Sequence, residues 1–270
     1  MNEFFLVVLY QPLFNLLIGI YHILPWKDLG LAIIILTLLI KLILFYPSLK
    51  AMRAQKALQD VQPKLAELKK KYANDKEELG KQIMSFYKEN KVNPLSSCLP
   101  VLIQLPILWA LFKVFFAGLA TDPQTGLIVV DQLNNLYEPL RSIYQTTPIN
   151  HMFLGFVNLA ATKNIPLAVL SGVAQFLQAK MLSTKKAAVQ TPASKDEALA
   201  ASMNKQMLYF FPIITIIFGF QFPAGVTLYW LFSTLFTWVQ QLIFLRDRTN
   251  NTHTPSASAK KPELPAKSKS

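Results

Sequence analysis

The sequence is poor in the residues that build metal and redox sites. Its 270 residues include one cysteine, Cys98, and three histidines. A single cysteine excludes an intrachain disulfide, and the scattered histidines lack the spacing of a zinc site. The composition therefore predicts no metal and no cofactor.

Carboxylates are missing from the long apolar segments. All 15 aspartate and glutamate residues lie in predicted loops, tails or a charged stretch between those segments. Proton-coupled transporters generally need a membrane-embedded carboxylate, so that class is disfavoured. A small transporter or channel remains the alternative function, although the sequence shows no inverted internal repeat. A membrane enzyme is disfavoured because no His, Asp or Ser cluster lies near one membrane face.

Apolar sequence, by contrast, comes in long blocks. Hydrophobic residues make up 52% of the chain, which has 19 phenylalanines. This composition is typical of a polytopic membrane protein, which we predict to be all-α. The five predicted transmembrane spans are residues 29–49, 93–118, 164–182, 207–222 and 224–245. The segments that connect and follow them are a cytoplasmic hairpin at 50–92, an extracellular loop at 119–163, a cytoplasmic loop at 183–206 and a disordered basic tail at 246–270.

Residues 1–28 form a separate N-terminal segment. Residues 4–24 are long enough to cross a bilayer, but several polar residues and a proline interrupt them. Three interpretations stay open: a sixth span, an uncleaved signal anchor, and an amphipathic helix lying in the membrane interface. We favour the interfacial helix.

Basic residues are concentrated on one side of the predicted spans. Of the 27 lysines and arginines, 22 lie in residues 50–91, 180–205 and 246–269. Lysine and arginine in short loops stay cytoplasmic, so the first span is expected to start outside and the C-terminus to lie inside. The net charge of +12 makes anionic membrane lipids and ribosomal RNA the expected acidic partners.

The charged stretch between the first two spans has helical periodicity. Apolar residues between positions 58 and 72 recur at spacings of three and four, which predicts one helix. Asp75, followed three residues later by Glu78, has the form of a capping box that starts a second helix. We predict an antiparallel helical hairpin; a solvated linker that only sets topology is the alternative.

Lys41 lies inside the first apolar run. A lysine at mid-membrane depth costs about 2.5–3.5 kcal/mol, so such a residue normally faces a bundle interior or a water-filled cavity. Thr37 lies one helical turn earlier on the same face. Polar residues on the other spans complete a candidate substrate-binding groove: Gln104, Ser171, Gln175, Gln178, Tyr229, Trp230, Ser233, Thr237 and Gln241. For any single serine or threonine, the alternative is a hydrogen bond that only joins two helices.

The residues that open the second span have a recognisable order. Positions 93–106 read Asn-Pro-Leu-Ser-Ser-Cys-Leu-Pro-Val-Leu-Ile-Gln-Leu-Pro. Three further features accompany them: Tyr46-Pro47, Gln62-Pro63 in the hairpin, and Phe-Pro-Ala-Gly-Val-Thr-Leu-Tyr-Trp at 222–230. Together these motifs closely resemble the YidC family of membrane protein insertases, over residues 11–245.

The resemblance implies an insertase and chaperone of the bacterial plasma membrane, the inner membrane where there are two. Its five-span core would enclose a hydrophilic groove that is open to the cytoplasm and sideways to lipid. Lys41 would be the one central positive charge, at a position where the family usually has arginine. Ser96 and Ser97 replace glycines common in the motif. We expect a short-form member, with no large extracellular domain before the first span.

Charge and solvation then suggest a mechanism without a chemical step, which we state as a hypothesis. The polar segment of a nascent membrane protein would enter the groove, be attracted by Lys41 and leave outward, while its apolar segment moves into lipid past Tyr229 and Trp230. The expected partners are nascent membrane proteins, the ribosome through the basic tail and cytoplasmic loops, a Sec translocon and membrane lipids. A tail that only sets topology is the alternative to ribosome binding.

Overall fold

A computed structural model describes residues 3–93, 99–122, 124–182 and 195–251. Three predicted features lie outside these residues. They are positions 94–98 of the signature motif, positions 183–194 of the predicted cytoplasmic loop, and positions 252–270 of the predicted tail.

The described chain is mostly helical, which confirms the predicted all-α class. The helices are α1 (Glu3–Ile23), α2 (Leu29–Ile43), α3 (Phe45–Lys71), α4 (Lys76–Glu89), α5 (Leu99–Lys113), α6 (Val130–Leu133), α7 (Glu138–Tyr144), α8 (Ile165–Leu182), α9 (Lys195–Gln221) and α10 (Ala224–Asn251). A widened helical turn, Val114–Gly118, follows α5 directly. A short antiparallel hairpin, β1 (Met152–Phe153) and β2 (Val157–Asn158), precedes α8.

The bundle is built around α2 and α10. The helix α2 packs against α1 on one side and α10 on another, while α10 also packs against α8, and α8 against α9. The apolar face of α1 is fully covered at Phe14, Leu17 and Ile18. These buried side chains join α1 to the same hydrophobic core as α2 and α10.

A bend of 65° at Leu44 separates α2 from α3. Pro47 explains its position, because proline has no N–H to donate to the carbonyl of Ile43 and its ring crowds that carbonyl. The Ser48 N–H donates to the Leu44 carbonyl at 3.0 Å, so the helix resumes at once. The predicted span at 29–49 therefore consists of α2 and the first turn of α3.

Few of the described helices are long and apolar enough to cross a bilayer alone. The helix α1 is, and α2 with α3 would be a second if the bent pair is one span. Shorter apolar stretches lie at Leu102–Phe116, Ile165–Met181 and Leu208–Gln221. The number of five spans and the interfacial position of α1 stay predictions.

The charged stretch after α2 folds into two packed helices, α3 and α4. The Asp75 carboxylate accepts the Glu78 N–H at 3.0 Å, which confirms the predicted cap. Leu68 on α3 is buried, and so is Phe86 on α4. Leu68 belongs to the apolar repeat predicted between positions 58 and 72.

The loop between α5 and α8 is fastened to α1 by side-chain hydrogen bonds. Asn15 donates to the Asn135 carbonyl at 2.9 Å and accepts the Tyr137 N–H. The Tyr10 hydroxyl donates to the side chain of Gln132 at 2.6 Å. Because Asn15 is buried and its amide is satisfied on both sides, this contact fixes the loop over α1.

Candidate functional site

Lys41 is half-buried near the C-terminal end of α2. Its Nζ lies 3.2 Å from Oγ1 of Thr237 on α10, and that hydroxyl donates to the Ser233 carbonyl at 2.9 Å. No carboxylate among the described residues lies within ion-pair distance of Lys41. The ammonium is therefore solvated by a hydroxyl and is not neutralised by an acidic side chain.

Thr37, one turn before Lys41, is completely buried. Its hydroxyl donates to the carbonyl of Ile33 in its own helix at 2.6 Å. This local bond satisfies the hydroxyl without a partner from another helix. Thr37 therefore lies between α2 and its neighbours, one turn from the Lys41 ammonium, with its hydroxyl already hydrogen-bonded.

Polar residues four apart form a stripe along α10. Tyr229, Ser233, Thr237 and Gln241 lie on one face of the helix, over about 18 Å of its length. At one end of the stripe the Gln104 side chain of α5 donates to the Tyr229 hydroxyl. The structure thus brings α2, α5 and α10 together through predicted site residues.

Gln241 lies at the other end of this stripe and is 3% exposed. Its Oε1 has no hydrogen-bond partner among the described residues. A buried acceptor without a donor costs about 1–3 kcal/mol. Gln241 is therefore the member of the stripe whose acceptor is unsatisfied within the described bundle.

Two of the predicted residues on α8 join helices. Ser171 is buried, and its hydroxyl donates to the Thr227 carbonyl of α10 at 3.2 Å. Gln175 accepts the hydroxyl of Thr215 on α9. These contacts match the alternative left open for single polar residues, interhelical hydrogen bonding. Gln178, one turn further, is half-buried.

Trp230 belongs to an aromatic cluster and not to the polar stripe. Its ring lies 6.1 Å from that of Phe222, which also contacts Phe112 at 5.1 Å and Phe218 at 5.4 Å between centroids. The cluster joins α5, the end of α9 and the start of α10. Trp230 therefore lies beside Tyr229 in sequence but in a different environment.

Sequence reasoning missed Gln240, which is 4% exposed. Its Oε1 accepts the Ser48 hydroxyl at 3.0 Å, and its Nε2 donates to the Phe45 carbonyl at 3.4 Å. Both partners lie in the first turn of α3, directly after the bend. Its position three residues after Thr237 was the available signal, because residues three apart share a helix face.

Comparison with known proteins gives the family. A family model described as 60Kd inner membrane protein matches residues 20–252. The membrane protein insertase YidC of Fusobacterium nucleatum is 36% identical over 217 residues, which are 80% of this chain and 86% of that protein. The chain belongs to the YidC family of membrane protein insertases. Family membership confirms the resemblance read from the motifs and assigns the chain to the membrane.

Other YidC family relatives are longer than this chain. The membrane protein insertase YidC of Streptomyces avermitilis is 33% identical over 85% of this chain and 53% of its own length. The protein of the same name from Geotalea daltonii is 31% identical over 78% of this chain and 33% of its own length. The chain thus spans about half and a third of these two relatives.

Proposed function

We propose that this chain inserts nascent membrane proteins into the bilayer through a hydrophilic groove between α2, α5 and α10, with Lys41 as its central positive charge. The supporting observation is the environment of Lys41. Its ammonium lies in an apolar helix, contacts the Thr237 hydroxyl and has no carboxylate partner among the described residues. A charge kept at such a cost in an apolar helix is most simply explained by an external anionic partner.

The proposed groove acts by solvation. Each unsatisfied polar group of a substrate costs several kcal/mol in hydrocarbon. Hydroxyl and amide groups of the α10 stripe would replace part of the water around the polar segment of the substrate. Lys41 would attract an acidic residue of that segment. The apolar segment of the substrate then moves into lipid and the polar segment is released on the other side.

The proposal includes an orientation. Five spans would run from α2, continued into the first turn of α3, through α5, α8 and α9 to α10, with α1 in the interface. The charged hairpin α3–α4 and the C-terminus would then be cytoplasmic. Ribosome binding by these basic segments and cooperation with a Sec translocon are part of the same proposal.

Lysine suits this site because a single hydroxyl solvates it. Thr237 offers one acceptor to the ammonium, and a point charge with three rotatable donors can turn from that acceptor to a passing carboxylate. Arginine would keep the charge and add a planar fork, so Lys41→Arg is expected to be active.

The test is insertion by purified protein in liposomes. A single-span substrate with an acidic translocated tail is scored by protease protection, with Lys41→Ala, Lys41→Arg and wild-type protein in parallel. Lys113, the last residue of α5, supplies the matched control, since Lys113→Ala also removes a lysine from an apolar helix. Only Lys41→Ala is expected to lose insertion.

Two results would contradict the proposal. Full insertion by Lys41→Ala would remove Lys41 from the mechanism. Solute flux through wild-type liposomes without substrate insertion would instead favour the small transporter or channel.

A further inference from the structure

We propose that the tip of the β1–β2 hairpin and the residues before α2 form a lipid anchor, seated in the membrane interface at the end of the bundle where α2 begins. The anchor consists of five apolar residues, Ile23, Trp26, Leu154, Phe156 and Ile165. The proposal rests on the membrane arrangement proposed above and does not depend on insertase activity.

The anchor residues are large, apolar and exposed. Trp26 is 76% exposed and Phe156 is 74% exposed, and the other three are more than half exposed. Large exposed apolar side chains that cluster at one place mark an interaction surface. These five come from three separate parts of the chain, which the fold brings to one end of the bundle.

Asp28 fixes the hairpin to the start of α2. One carboxylate oxygen caps α2 by accepting the Leu31 N–H at 2.9 Å, and the other accepts the Leu154 N–H at 2.7 Å. The Phe153 ring packs directly on Gly30, where a β-carbon would overlap it. The hairpin tip is therefore held at the level of the first turn of α2.

The start of α8 is held at the same end. The Ala224 N–H of α10 donates to the Ala161 carbonyl at 2.9 Å, and the Gly225 N–H donates to the Leu159 carbonyl at 2.9 Å. Residues 159–161 connect the hairpin to α8, so Ile165 lies close behind it in the chain. The anchor thus continues the apolar faces of α2 and α8.

The helix α2 is too short to cross the hydrocarbon core by itself. Its 15 residues span about 22 Å, and the turn of α3 that continues the span is bent aside by 65°, whereas the hydrocarbon core is about 30 Å thick. The apolar surface must continue past one end of α2 for the bundle to match the bilayer. Leu154 and Phe156 supply such a surface beside the start of α2.

The chemistry around the anchor favours lipid as the occupant. Trp26 is the residue type enriched at membrane interfaces, and Lys27 and Lys163 flank the apolar residues in sequence, where they could meet phosphate groups. Asp28, which follows Lys27, is engaged in backbone hydrogen bonds with both carboxylate oxygens. A tryptophan beside lysines and apolar side chains fits a phospholipid headgroup region.

Depth-dependent fluorescence quenching tests this directly. Phe156→Cys in a Cys98→Ser background is labelled with an environment-sensitive dye and placed in liposomes of phosphatidylcholine and phosphatidylglycerol. A second set of liposomes carries a nitroxide near the headgroup end of the acyl chain. Thr147→Cys, an exposed site in the same loop, is the matched control.

The label at position 156 is expected to be quenched at least threefold more strongly than the label at position 147. Equal quenching at the two positions would overturn the anchor. So would efficient disulfide formation between two Phe156→Cys chains with no nitroxide quenching, because it would show that a second copy covers the tip. Neither readout uses a substrate, so failure here is distinct from failure of insertion.

Discussion

Replacing Lys41 with methionine is expected to separate stability from function. Methionine keeps the length of the side chain and removes the charge. The ammonium costs about 2.5–3.5 kcal/mol at this depth, while a hydrogen bond from a charged group returns about 1.5–3 kcal/mol. Since Lys41 has one such contact, with Thr237, the variant should be as stable as wild type within about 2 kcal/mol, or more stable.

The functional effect of the same change is larger. A carboxylate 4 Å from the ammonium gains about 4 kcal/mol at an effective dielectric constant of 20. Lys41 is half-buried, and partial exposure reduces this to about 2 kcal/mol. Because 1.36 kcal/mol is a tenfold change in rate, insertion of an acidic-tailed substrate should slow roughly 30-fold.

The assay pairs two measurements on one preparation. Thermal or denaturant unfolding in detergent gives stability, and protease protection in liposomes gives the insertion rate. A Lys41→Met variant that is both inactive and strongly destabilised would refute the reasoning, because Lys41 would then be structural. An active and stable variant would refute it as well.

Three further predictions concern the parts that position the site. Gln240→Ala should loosen the bend between α2 and α3 by removing two hydrogen bonds worth about 1–3 kcal/mol together, seen as a broader distance distribution between spin labels on α4 and α10. Gly30→Ala should destabilise the β1–β2 hairpin by about 1–3 kcal/mol, measured by unfolding, because the new methyl overlaps Phe153. Burial lowers the pKa of His151, with an opposing effect of its bond to the Leu119 carbonyl, so the loop should lose protection from proteolysis as the pH falls below about 6.5.

Two of these predictions have a matched variant, and the third has a result that would contradict it. Gly19→Ala meets only a distant side-chain atom of Leu140, at 4.0 Å, and should be close to neutral. His151→Gln should flatten the pH dependence, because no proton is then taken up when the loop opens. An unchanged distance distribution in Gln240→Ala would show that Pro47 alone holds the bend.

Much of the site could be predicted from the sequence, because the cost of a charge in an apolar run is a local property. Lys41 and the faces of α2 and α10 follow from hydropathy and helical spacing. The contact between Lys41 and Thr237 does not follow from them, since the two residues are 196 positions apart. Helical spacing shows which residues share a face but not which helix packs against that face. For the same reason, the sequence could not predict whether Ser171 faces water or another helix.

The loop between α5 and α8 was the least predictable part of the fold. Its hydrogen bonds to α1 join residues about 120 positions apart, such as Asn15 and Tyr137. The bend had a sequence signal in Pro47, but a proline gives the position of a break and not its angle. Gln240 was missed beside Gln241 because adjacent residues on a helix point about 100° apart and meet different neighbours.

A charge exchange between protein and substrate tests the central claim most directly. Lys41→Glu is compared with wild type on two single-span substrates that differ only in whether the translocated tail carries aspartates or lysines. The account predicts that wild type prefers the aspartate tail, and that Lys41→Glu loses this preference or reverses it. An unchanged preference in Lys41→Glu would contradict the role of Lys41 as the charge that attracts the substrate.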